Sequence, residues 1–307
     1  MTSRVPLAVS IPQTFPSGPI DPERIRRYLA RAEALGFTGA WVVEQVVGTI
    51  PSLEPIELLT FAAAVTQRLR VGAAVLLTAL RTPLHTAKSL ATLDQLSGGR
   101  LDVGVGLGGQ PAVYPAFGLS AERRAARFAE GVILMKRLWT EPRVTFDGEF
   151  YRLKDLPMEP KPRQRPHPPI WFGGHHPDAL RRAVALGDAF MGAGSASTAT
   201  FAAEVGLLRR ALEAAKRDPV TFPIAKRVYI AVDDDRARAG RRLTEWFGGF
   251  YHRPQLAEEV SVWGSAEQCA EGLRAVVAAG AGMLMLNPVF DDEEQLERFA
   301  AELAPRL

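Results

Sequence analysis

Leu96-Ser-Gly-Gly-Arg-Leu-Asp-Val-Gly-Val-Gly-Leu-Gly-Gly109 is the stretch from which the rest of this chain is best read. Its apolar centre, Leu101 to Val105, has the composition of a short buried strand, and the strand runs out into glycines. A second stretch of the same kind, Pro168-Pro-Ile-Trp-Phe-Gly-Gly174, follows further along. Glycines at a strand end let backbone amides approach an anionic or flat ligand with no side chain between. The pair predicts a phosphorylated cofactor lying across the carboxyl ends of parallel strands.

Outward from these stretches the chain alternates short β-branched runs with longer helical patterns. Strands are predicted at Val5 to Ile11, Ala40 to Val43, Val71 to Leu77, Leu101 to Val105, Ile170 to Phe172, Asp188 to Met191, Ile224 to Val232 and Met283 to Leu286. Asp21 caps the first helix with Pro22 in its first turn, and Ile25, Leu29, Ala32 and Leu35 recur at helical spacing before Gly36. Further helices are read at Glu54 to Thr66, Pro83 to Leu96, Ser120 to Trp139, Pro177 to Leu186 and Thr198 to Lys216. Ser265-Ala-Glu-Gln268 forms a capping box ahead of another, and the last runs from Asp292. This is the pattern of a (β/α)8 TIM barrel in one domain, residues 1–307. The rhythm breaks once, over residues 140–168. There, Val144 to Leu153 reads as a hairpin about Asp147-Gly148, and a proline-rich, helix-free stretch follows. This is an insertion before the fifth strand. A doubly wound sheet has fewer strands and carries its phosphate loop after the first, not after the fourth and fifth.

Bulk properties narrow the function. The 307 residues are 47% apolar and 23% charged, in the range of ordinary globular proteins. No apolar run approaches the roughly 18 residues of a membrane span, and the first residues lack a secretory pattern. The single Cys269 excludes an internal disulfide and a cysteine metal cluster. A cytoplasmic location is expected. The net charge of +3 is spread over helical arginine pairs with no basic run interleaved with aromatics, so no nucleic-acid partner is expected. The five histidines show no ligand spacing for a metal, and no serine sits in a nucleophile elbow.

Gly104-Val-Gly-Leu-Gly-Gly109 also fits the dinucleotide pattern, but Gln110 and Pro111 delay the helix that should follow at once. A ligand-facing barrel loop and a plain loop after a core strand are the other readings. Here the wider pattern matters. Thr92-Leu-Asp-Gln-Leu-Ser-Gly-Gly-Arg-Leu101 followed by Gly104-Val-Gly106 resembles a signature of the bacterial luciferase-like superfamily of flavin- and deazaflavin-dependent (β/α)8 enzymes. Ile170-Trp-Phe-Gly-Gly174, the run Ala185-Leu-Gly-Asp-Ala-Phe-Met191 and the hairpin Phe146 to Leu153 are similar to its other hallmarks, so the resemblance covers nearly the whole chain.

The resemblance implies a set of positions. A bulge with a non-proline cis peptide would fall within Gly72-Ala73-Ala74-Val75 and support the coenzyme ring; the same small residues also suit core packing. Gly106, Leu107 and Gly108 would lie beside the ring. Gly173 and Gly174, with His175, would hold the phosphate, and Gly194 and Ser195 after the sixth strand would complete that cradle. Asp94 and Arg100 flank a turn at the amino end of the barrel and are read as structural.

Two departures stand out. Relatives that use a deazaflavin often carry an Asp-His pair where this chain has Glu44-Gln45. Sugar-phosphate dehydrogenases of the group carry a glutamate where this chain has Gly109, which argues against a sugar-phosphate substrate. Candidates for proton transfer are Glu44, Tyr114, His175 and His252, with Gln45 in the place of the missing imidazole. Glu44 reads equally as a carboxylate that orients its neighbours. Tyr251-His-Arg-Pro254 is read as part of a substrate lid.

The resemblance implies an oxidoreductase that moves hydride between coenzyme F420 and a small organic substrate. A mildly basic chain with open glycine loops suits that coenzyme's phosphate and polyglutamate tail. The alternatives are a two-component monooxygenase using reduced FMN, and a non-catalytic flavin-binding protein. A homodimer through the second and third helices is expected, as is a flavin or F420 reductase partner.

Overall fold

The computed structural model describes residues 5–16, 18–108 and 111–307. Eight parallel strands close into a barrel: β1 (Leu7–Ser10), β2 (Gly39–Val42), β3 (Arg70–Ala73), β4 (Leu101–Val105), β7 (Ile170–Phe172), β8 (Ala189–Gly192), β9 (Ile224–Val232) and β11 (Met283–Asn287). Closure is set by the register Leu7↔Leu284 between β1 and β11 and Phe190↔Ile224 between β8 and β9. The intervening hairpin is β5 (Val144–Asp147) with β6 (Arg152–Leu156), and a short strand, β10 (Val262–Gly264), pairs with the end of β9.

The helices are α1 (Pro22–Ala34), α2 (Pro55–Val65), α3 (Pro83–Leu96), α4 (Arg124–Thr140), α5 (Pro177–Leu186), α6 (Thr198–Ala214), α7 (Arg236–Tyr251), α8 (Leu256–Val260), α9 (Ala266–Ala278) and α10 (Asp292–Arg298). The first shows how the sequence sets them. The Asp21 carboxylate accepts from the amides of Glu23 and Arg24 at 2.9 and 3.1 Å, and Ile25, Tyr28, Leu29 and Ala32 form the buried stripe. Each large member of such a stripe contributes about 2 kcal/mol by leaving water. Gly36 then turns the chain with φ of +86°. Ahead of α9 the Ser265–Gln268 capping box forms as its spacing predicts. Leu58 and Leu59 of α2 pack inward on the barrel.

Inside the barrel, Ala8, Trp41, Trp171, Ala189, Met191, Ala225 and Met285 form a core separate from the one beneath the helices. Trp41 and Trp171 meet edge to face at 5.5 Å. At the amino end, Asp102 accepts two bonds of 2.7 Å from Arg70 and one of 3.1 Å from the Trp171 indole. Asp94 holds Gln164, and Arg100 donates to the carbonyls of Ala63, Thr66, Leu69 and Ser97, so both are structural, as read from sequence.

The structure departs from the sequence reading in four places. The third strand, read as continuous to Leu77, stops at Ala73 and rejoins β4 only at Leu76, an interruption that falls where the resemblance placed a bulge with a cis peptide. The hairpin turn is wider than Asp147-Gly148, because the Glu130 carboxylate accepts from the amides of Glu149, Phe150 and Tyr151. The fourth helix begins at Arg124, since the Ser120 hydroxyl accepts from Glu122 in a local turn and Arg123 is left-handed at φ of 53°. Finally, α7, α8 and β10 build a small second core around Tyr229, Leu243, Phe247 and Leu256.

Two glycines of similar appearance have opposite roles. A Cβ at Gly104 would overlap the Ala73 carbonyl of the neighbouring strand, whereas one at the exposed Gly249 of α7 would meet nothing within 4 Å. Gly104→Ala should therefore cost about 3 kcal/mol, at the upper end of overpacking penalties. Gly249→Ala should add about 0.5–1 kcal/mol through helix propensity. Urea unfolding of the two variants checks both; equal effects would refute the packing argument.

Candidate functional site

The carboxyl ends of the barrel strands surround a cleft of about 740 Å³. That lies within the roughly 300–1,000 Å³ of small-molecule sites. Trp41 forms part of its floor, held against the bare Gly72, where a Cβ would come within 2.6 Å of the indole ring.

One wall is the break in β3. The Ala74–Val75 peptide is cis, and both residues line the cleft. Ala74 donates to Val42 at 2.7 Å, and Leu76 then donates to Gly104 at 2.9 Å. The glycines of the quoted stretch make this path possible. Gly104 admits the Ala73 carbonyl, a Cβ at Gly106 would stand 2.5 Å from a Val75 methyl, and one at Gly173 would stand 3.0 Å from the other. Of the predicted ring-side residues, Ala74, Leu107 and Gly108 reach the cleft, while Ala73 and Gly106 pack behind it. Gly109 lies outside the described residues.

Glu44 closes the corner between β2 and this wall. Its side chain is 1% exposed. One carboxylate oxygen accepts from the Leu77 amide at 2.5 Å and the other from Arg81 at 2.7 Å; Arg81 also pairs with Glu54. Burial pushes the Glu44 carboxyl above its ordinary range, with Arg81 and the Leu77 amide acting against that push. Both oxygens are thus occupied by the chain's own donors. Gln45 lines the cleft with a buried Oε1 that has no hydrogen-bond partner among the described residues. Tyr114 also lines it, and its hydroxyl donates to the Leu107 carbonyl at 2.9 Å, fixing the loop after β4.

The loops after β7 and β8 sit to one side. Gly173, Gly174, His175 and Gly194 are not on the cleft lining, whereas Ser195 is. The amides of Gly174, His175, Gly194 and Ser195 have no acceptor among the described residues. His175 Nδ1 lies 2.6 Å from Glu204, and His176 caps α5 by accepting from the Asp178 amide at 3.2 Å. His252 is the left-handed residue that ends α7 and is not on the lining, whereas Tyr251 is. Cys269 is buried, with its thiol pushed up to about 12 by burial, so it is inert. Among the described residues no cluster of ligands could hold a metal.

The sequence reading missed the wall built by β9 and α7. Arg227 and Tyr229 from β9, with Arg242, Trp246 and Phe250 from α7, line the cleft. The available signal was Lys226-Arg227 inside an otherwise apolar strand, since barrel strands alternate between pore and helix sides. Arg227 takes the cleft side, and Lys226 turns outward to the carbonyls of Ala193 and Arg227. Burial first, then the charge of Arg227, bring the Lys226 amine down to about 7, with Glu204 opposing.

Two outcomes follow. Glu44→Gln should cost about 2 kcal/mol in urea unfolding, less than a fully buried pair because Arg81 keeps Glu54 and some solvent. Unchanged stability with lost activity would instead make Glu44 a proton carrier. Lys226 binds a proton more readily in the unfolded chain, at its ordinary 10.5, than in the fold. It therefore opposes folding below about pH 7, and less and less as pH rises toward 10. The stability gained by Lys226→Met should shrink by about 1–4 kcal/mol between pH 7 and 10; a pH-independent difference would contradict this.

Comparison with known proteins places this geometry. The family model described as luciferase-like monooxygenase matches residues 5–260. The chain is 28% identical, over 93% of both chains, to an F420-dependent glucose-6-phosphate dehydrogenase from Kineococcus radiotolerans. Its fold is similar to that of an F420-dependent secondary alcohol dehydrogenase solved with an F420–acetone adduct, with a TM-score of 0.86, 21% identity and 99% of each chain covered. The monooxygenase RslO1 from Streptomyces bottropensis matches with a TM-score of 0.80 at 26% identity, over 98% of this chain and 99% of that one. With the closed barrel and the break in its third strand, these findings make the chain a member of the bacterial luciferase-like family of oxidoreductases.

Proposed function

We propose that this protein binds coenzyme F420 and catalyses hydride transfer between it and a small organic substrate. The observation that carries this reading is the end-to-end correspondence with an F420-dependent dehydrogenase, 93% of each chain.

The residues present fit such a group. Ala74, Val75, Leu107 and Gly108 offer a low, largely backbone surface for a flat ring. The unengaged amides of Gly174, His175, Gly194 and Ser195 are donors for a phosphate, and the orphaned Gln45 Oε1 is an acceptor for a ring N–H. When bound, the coenzyme supplies or accepts the hydride. The chain's part is to hold ring and substrate in register, and such positioning is worth much of the barrier in a transfer of this kind. Glu44 and Arg81 lock the Leu77 amide, and Tyr114 locks the Leu107 carbonyl, so both ring-side segments are fixed before the ligand arrives. With Glu44 committed to this bracing, and Gln45 and Gly109 unable to supply a proton at their positions, we assign a substrate other than a sugar phosphate.

The likeness to monooxygenase RslO1 supports a second reading, a monooxygenase, for which the sequence reading expects reduced FMN and a separate reductase. Titration of the apo-protein with F420 and with FMN, followed by fluorescence at fixed salt, decides between them. F420 should bind at least about tenfold tighter, or roughly 1.4 kcal/mol. A preference for FMN, above all reduced FMN, would overturn the hydride-transfer reading.

A further inference from the structure

Arg227 lies on β9 at the wall of the cleft and is 8% exposed. Its Nη2 donates to the Tyr229 hydroxyl at 2.6 Å and approaches the Tyr251 hydroxyl at 3.3 Å; the two hydroxyls are 2.6 Å apart. The guanidinium also lies over the Tyr229 ring, 4.9 Å from its centre. Burial pushes the Tyr229 hydroxyl well above its ordinary value, so its oxygen carries no charge to offset the cation. Nε has no partner, and Nη1 makes no hydrogen bond among the described residues.

A buried guanidinium is ordinarily paired with a carboxylate. None lies within ion-pair distance of Arg227 among the described residues, and the acids around the cleft are engaged elsewhere. Glu44 is held by Arg81, Asp291 by Arg242 and Asp292 by Arg24. The fold also makes room for the uncompensated cation, since a Cβ at Gly194 would stand 2.6 Å from its Nε. Beside it, Trp246 and Phe250 stack at 4.7 Å and continue the cleft as an apolar wall.

We infer that Arg227, with the hydroxyls of Tyr229 and Tyr251, forms an oxyanion site, and that its occupant is the carboxylate of a substrate whose apolar body lies along Trp246 and Phe250. A coenzyme phosphate shares this chemistry, but four free amides already stand at Gly174, His175, Gly194 and Ser195 to receive it. The inference rests on the cleft being the substrate site and holds whichever coenzyme is used.

The test uses the full-length apo-protein, with arylalkanoates from phenylacetate to 4-phenylbutyrate and their neutral amides as calorimetric probes. At least one acid should bind ten times tighter than its amide. Arg227→Met should abolish that preference while leaving the amide within about twofold, and Arg227→Lys, which keeps the charge, should retain part of it. Tyr229→Phe should weaken the acid alone. No acid preference in the wild type, or one that survives Arg227→Met in a folded variant, overturns the site. Competition by inorganic phosphate, joined to a tenfold loss of F420 and FMN affinity in Arg227→Met, assigns the site to the coenzyme and overturns the substrate claim. An acid preference in a protein that binds neither coenzyme would sink the function proposed above and leave this inference standing.

Discussion

The Ala73 carbonyl of β3 points at the α-carbon of Gly104 on β4, at a separation that leaves no space for a side chain. Much of the site depends on that approach. Because Gly104 yields, β3 can abandon the ladder after Ala73, present the Ala74–Val75 backbone to the cleft and return to β4 at Leu76. Gly106 and Gly173 then accept the methyls of Val75. The segment beyond is pinned by the Glu44 carboxylate on the Leu77 amide, and Arg81 and Glu54 carry that restraint outward to the start of α2. A backbone departure in one strand is thus held by missing side chains on its neighbours and by one buried carboxylate.

Most of the architecture was legible in the sequence, because barrel units repeat one pattern and several helices carry local start and stop signals. The limits of α5 and β9 and the capping box of α9 were readable from Pro177, the apolar run from Ile224 and the Ser265–Gln268 spacing. What escaped was set by partners distant in sequence. No local signal says that Glu130 will gather three amides of the hairpin loop, and the break in β3 was placed at Gly72 to Val75 by the resemblance alone, not by any local pattern.

The site was legible in part for a related reason. Glycines announce a place where something must come close, but not what. Those after β4 and β7 were read as openings for a ligand, and several of them admit Val75 and the Ala73 carbonyl instead. Glu44 was recognisable as a carboxylate at a strand end; its engagement with Leu77 and Arg81 was not. Arg227 was passed over because composition spreads its charge across the whole surface, whereas the strand's alternation turns it inward.

The segment from α7 to β10 packs about its own small core, with Tyr229, Leu243, Phe247 and Leu256 at its centre, and β10 secures it to the end of β9. It furnishes Trp246, Phe250 and Tyr251 to the cleft but takes little part in holding the barrel closed. It is built as a cassette. Substitutions there can remodel the ligand-facing wall at little cost to the scaffold, while the glycines around Ala73 leave almost no room for drift. Changes that alter selectivity and spare the barrel are therefore best accommodated between α7 and β10.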